Sequence, residues 1–107
     1  MKHLSGHPAI ERQIAALHRA IAELIGAGDM RPIKRALDNL QRWGTRFDGE
    51  LLHAYQEWDQ LLRSSDTAFI LCILVGDDED AIRRRSSSPF TGILSPRERL
   101  EIMRRAA

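Results

Sequence analysis

The eight residues Ala68–Val75, AFILCILV, decide the fold class of this chain. They form an unbroken apolar run, too short for periodicity to separate a helix from a strand. Ile70, Ile73 and Val75 are β-branched, which leans toward a strand. A lone strand, however, has no neighbour to complete its ladder of hydrogen bonds. The other apolar segments of the chain repeat at helical spacing. The run is therefore read as a buried helix, capped by Asp66 and ending near Gly76. That reading makes the chain all-α, a compact bundle of four to six helices.

The remaining helices follow from their stripes. In PAIERQIAALHRAIAELIG, Ile10, Ile14, Leu17, Ile21 and Leu24 recur three and four apart and share one face. Pro8 suits a first turn, and Gly26 with Gly28 supplies the stop. In DMRPIKRALDNLQRWGTRF, Asp29 is the expected cap and Ile33, Leu37, Leu40 and Trp43 the apolar stripe. In DGELLHAYQEWDQLLRSS, Asp48 is the expected cap. There Leu51, Leu52, Tyr55, Trp58, Leu61 and Leu62 cover an arc wide enough for two neighbours. The acidic run Asp77–Asp80 opens a short helix that ends in Arg83–Arg85, matching the helix dipole at both ends. SPRE, from Ser95, is a capping box with proline at the first helical position.

Size and composition narrow the class further. A chain of 107 residues reads as one domain, with residues 1–7 as a flexible arm. Of its residues 43% are hydrophobic and 29% charged, ordinary for a globular protein. The net charge of +1 supplies no global attraction to nucleic acid or anionic lipid. The single cysteine, Cys72, excludes an internal disulfide and fits a reducing compartment. No apolar leader is visible, and the longest apolar run falls far short of the roughly 20 residues that span a bilayer. The expectation is a cytoplasmic protein with no membrane segment.

The segment between the last two helices looks like a polar linker but carries Phe90, Ile93 and Leu94. These are read as anchors that hold an ordered loop before the C-terminal helix. Leu94 precedes the Ser95 cap, where a hydrophobic staple residue belongs. Arg85, Ser87, Ser88, Pro89, Phe90, Gly92, Leu94, Pro96 and Arg99 form a tail pattern. It resembles that of a group of small bacterial helical proteins, antitoxin-like proteins encoded beside toxin genes. LHRAIAE, LDNLQRW and WDQLL extend the likeness in outline. The resemblance implies an interaction protein and no catalytic residue.

No motif in the chain carries site chemistry. His3 and His7 have a metal-ligand spacing, but Gly6 and Pro8 oppose a helix there. His18 lies at the edge of an apolar face and reads as a packing or surface residue. His53 has no adjacent nucleophile. Cys72 sits in an apolar run and reads as a buried, inert thiol. The acids 77–80 lack the alternating oxygens of a calcium loop. Catalytic residues, cofactors and metals are accordingly expected to be none.

Charge distribution yields two functional readings. Residues 66–80 hold five acids and no base, while residues 83–107 hold seven arginines and two glutamates. In the first reading the chain is a non-enzymatic protein-interaction module. Phe90, Ile93 and Leu94 contact a partner with Arg85 at the rim, or contact a second copy in a two-fold dimer. In the second it binds nucleic acid through Arg31, Arg35, Arg42 and Arg46 of the second helix with Arg83 and Arg84 of the tail.

Overall fold

The computed structural model describes residues 8–44 and 49–106, and within them the chain is all-α. Six helices follow in order: α1 (Pro8–Gly26), α2 (Arg31–Trp43), α3 (Gly49–Ser64), α4 (Thr67–Val75), α5 (Glu79–Arg85) and α6 (Pro96–Ala106). The expected arm 1–7, Arg46 and the Asp48 cap lie outside the described residues. α1 is the hub, touching α2, α4, α5 and α6. α2 pairs with α3, and α4 with α5.

Local signals set the ends of the helices. Gly28, at φ +95°, takes the left-handed conformation that closes α1, and the Asp29 amide reaches back to the Leu24 carbonyl. Asp66 accepts from the Phe69 amide at 2.9 Å and Asp78 from the Ala81 amide at 3.3 Å, capping α4 and α5. Ser95 and Glu98 exchange both bonds of the capping box, at 3.1 and 2.9 Å. Two expectations shift. Met30, not Asp29, occupies the cap of α2, and Asp29 instead accepts from the Arg31 amide and guanidinium. The residue four beyond the Ser95 cap is Arg99, so Leu94 has no staple partner and packs on the core.

The core gathers Ile21 and Ile25 of α1, Ala36 and Leu40 of α2, Trp58, Leu61 and Leu62 of α3, and Ile70, Ile73 and Leu74 of α4, with Phe90 from the loop. On α1 Leu17 and Ile21 of the expected stripe are buried, but the buried arc extends to one side, to His18, Ala22 and Ile25, while Ile10 is exposed. Four helices pack around α1, so its contact arc is set by the gaps between them rather than by the apolar stripe alone. Tyr55 and Trp43 meet at 5.2 Å at the edge of the core.

α4 is a helix, as expected, but it is not buried on every side. Ile70, Ile73 and Leu74 face the core. Phe69 and Val75 are 48% and 52% exposed, and Cys72 between them is exposed as well. α4 packs on α1 and α5 along one side only, which leaves these three residues uncovered. The reading of Cys72 as a buried thiol is corrected on the same ground.

Candidate functional site

Two surface features stand out, a cleft over the tail loop and the open face of α4. The cleft depends on how the loop 86–95 is fastened. Phe90 is 5% exposed and meets Trp58 at 5.7 Å and His18 at 6.3 Å, both nearly edge to face. Asn39, buried within α2, donates to the carbonyls of Pro89 and Thr91 at 2.9 and 3.0 Å and accepts from Arg42. The Trp58 indole donates to the Arg84 carbonyl at 2.9 Å. Three helices thus hold the loop. Gly92 sits at φ +78°, a conformation that favours glycine. A Cβ there would come within 2.8 Å of the Arg35 guanidinium, but that is the movable end of a long side chain, so the backbone angle is what calls for glycine.

His18 ties the loop to α1. Its Nδ1 lies 2.7 Å from the Ile14 carbonyl, and its Nε2 lies 2.7 Å from the Ser88 hydroxyl. A carbonyl only accepts, so Nδ1 carries the proton and Nε2 accepts from Ser88. Burial lowers the His18 pKa to about 4, with the Arg85 charge adding to the shift, so the ring is neutral near pH 7. The pair has the spacing of a nucleophile and its base. The ring, however, is oriented by a carbonyl rather than a carboxylate, and so low a pKa makes it a weak proton acceptor. The Ser88 hydroxyl also accepts from the Phe90 amide at 3.1 Å. The arrangement is suited to fastening the chain.

Arg85 is 7% exposed. Its Nη1 donates to the carbonyls of Ile73 and Gly76 at 2.8 and 2.6 Å, where the C-terminal end of α4 leaves acceptors. Burial lowers its pKa, opposed by the nearby Asp78. Over Arg85 and the loop lies a cleft of about 690 Å³ between α1, residues 86–95 and the start of α6. Leu17, Ile21, Ile93 and Leu94 supply apolar wall, and Ser88, Glu98 and Arg99 supply polar groups.

The residues expected to bind a partner therefore divide. Phe90 and Arg85 are taken up by the fold, which corrects their reading as surface contacts. Ile93 and Leu94 are half-buried and line the cleft. The arginines expected to meet nucleic acid divide too. Arg31 pairs with Asp29 at 2.8 Å. Arg83 and Arg84 share Glu57 and Asp80 at 3.0 to 3.4 Å, and the Arg83 hydrogen bonds hold the Glu57 carboxyl below its usual range. Arg35 lies against Gly92, Arg42 bonds Asn39, and Arg46 is outside the described residues.

Sequence reasoning missed Asn39 and the His18–Ser88 tie. Asn39 had one signal: it is a polar residue three after Ala36 and next to Leu40, on the buried stripe of its helix. The open face of α4 had none, because every position in that run is equally apolar. No group of three or more metal-binding side chains forms among the described residues, and no described helix is long and apolar enough to cross a membrane. Compared with protein families, curated proteins and solved structures, the chain matches none.

Proposed function

We propose that this chain is a non-enzymatic, cytoplasmic protein-interaction module whose α4 face docks on a helix of a partner protein. An antitoxin-like regulator, the role implied by the tail resemblance, is one protein of this kind. The supporting observation is that Phe69, Cys72 and Val75, three apart on one helix, stay exposed. An all-apolar helix is ordinarily covered on every side, and a contiguous exposed apolar stripe marks an interaction surface.

Charge narrows the partner. Asp66 stands at one end of the stripe and Asp77–Asp80 at the other, with no base between. A second copy laid two-fold across this face would set acid against acid, which disfavours a homodimer here. A helix with an apolar stripe and basic flanks is complementary. Nucleic acid is the weaker reading, because carboxylates neutralise Arg31, Arg83 and Arg84.

Calorimetry tests this with a designed helical peptide bearing a leucine stripe and lysine flanks, beside its glutamate-flanked counterpart. The lysine peptide is expected to bind, more weakly as salt rises. Phe69→Ser/Val75→Ser is expected to abolish binding and leave the urea midpoint unchanged. No binding, or equal binding of the glutamate peptide, overturns the proposal. So does a concentration-dependent dimer that the double variant abolishes, since it would make a second copy the occupant.

A further inference from the structure

We propose that the cleft between α1, the loop 86–95 and α6 binds a small organic monocarboxylate, its apolar tail on Ile93 and Leu94 and its head at Arg85 and Arg99. This site is separate from the α4 face and does not depend on it.

The first argument is the state of Arg85. A buried cation is costly unless it is paired with an opposite charge. Arg85 reaches two backbone carbonyls through Nη1 alone. Its Nε and Nη2 donate to none of the described residues, and no described carboxylate lies within ion-pair distance of it. The dipole at the end of α4 and the more distant Asp78 and Asp77 carboxylates offset only part of the charge, and burial still lowers the Arg85 pKa. A planar guanidinium with Nε and Nη2 left over can offer a parallel pair of N–H groups, which matches the two oxygens of a carboxylate.

The second argument selects the cavity. Arg85 borders two hollows. The smaller, about 190 Å³, is also lined by Glu11 and Asp77, whose charges repel an anion. The larger, about 690 Å³, falls within the roughly 300–1,000 Å³ of small-molecule sites. It adds a second cation, Arg99, which has no ion pair among the described residues. Glu98 is the one acid among its lining residues, and the Ser95 amide holds that carboxylate.

The third argument sets the ligand class. Two cations against one acid leave room for a single negative charge and disfavour a dianion. Neutral His18 has both ring nitrogens engaged and adds neither charge nor a spare donor. Leu17, Ile21, Ile93 and Leu94 give the wall a hydrocarbon surface that an inorganic anion would leave unused.

Octanoate is the probe, titrated into the full chain and followed by nitrogen–proton NMR that includes arginine side chains. It is expected to shift the Arg85 Nε–H and the amides of residues 92–95, leaving the α4 amides still. Octanol, octylamine and inorganic phosphate are each expected to bind at least about tenfold more weakly, the loss of one charge-assisted contact or of the tail. Arg85 also caps α4, so its substitution risks the fold. Arg99→Gln, at an exposed position, tests the head group instead, with tenfold weaker octanoate binding and an unchanged urea midpoint expected. Octanol binding as well as octanoate, phosphate binding as well as octanoate, or shifts confined to other surfaces would each overturn the proposal.

Discussion

His18 is a polar side chain that has become structural by losing its access to water. Its ring is fully hydrogen-bonded as the neutral form, between Ile14 and Ser88. Protonation would place a charge where burial denies it water, beside the Arg85 cation. In the unfolded chain the same ring takes up its proton near pH 6.5, while in the fold it resists until about pH 4. Between those values the unfolded state binds more protons, so acidification favours unfolding. Stability is expected to be fully present above pH 6.5. It should fall by about 3 kcal/mol as the pH drops to 4, the equivalent of the pKa difference. Urea unfolding across that range checks the slope, and His18→Gln should flatten it. Equal slopes in the two proteins would show that the ring is not buried neutral.

The six helices differ in what holds them. α6 has no buried residue, and Leu100 on it is 58% exposed. Its links to α1 include long bonds from Arg12 to the Ala106 carbonyl at 3.4 Å and from Gln13 to the Met103 carbonyl at 3.5 Å. Helix stability usually comes from packing an apolar face, so α6 depends more than its neighbours on its cap. Ser95→Ala is expected to cost α6 about 1 kcal/mol, as for an ordinary lost cap. The loss should appear as faster hydrogen exchange of the α6 amides with almost no change in the global urea midpoint. A midpoint that moved by the full amount would mean α6 unfolds only with the whole protein. α4 is the opposite case, an apolar helix secured by Ile70, Ile73 and Leu74. Its cap matters less to it than its contacts do.

Across the whole molecule the loop 86–95 acts as a keystone. It meets α1 through His18, α2 through Asn39, and α3 through Trp58, whose ring faces Phe90. With a radius of gyration of 13.5 Å, close to the roughly 13 Å of a compact chain this long, the helices share one core. Phe90→Ala would open a hole where these elements converge. It is expected to destabilise the protein by about 3 kcal/mol, at the lower end for a buried phenylalanine. Urea unfolding should remain a single transition, because no element keeps its own core once Phe90 is gone. A second transition, or a loss below about 1 kcal/mol, would count against the keystone role.

Local chemistry made much of this fold legible before any contact was known. The Asp66 cap, the Gly28 stop and the SPRE box act within four or five residues of themselves, so sequence spacing alone determines them. The helical state of AFILCILV followed from the lack of a partner strand, and the anchoring of Phe90 from its apolar character. Which side of each helix meets a neighbour is a different kind of fact. It depends on the directions in which helices cross, and those are settled by the packing of the entire core. Hence α1 buries His18 and exposes Ile10, and α4 exposes Phe69 and Cys72 although no residue from Ala68 to Val75 is polar enough to ask for water. Arg85 read as a rim residue beside two similar arginines. Tertiary packing alone turned it inward to the carbonyls of α4, beneath a cleft formed by residues brought together from α1, the loop and α6.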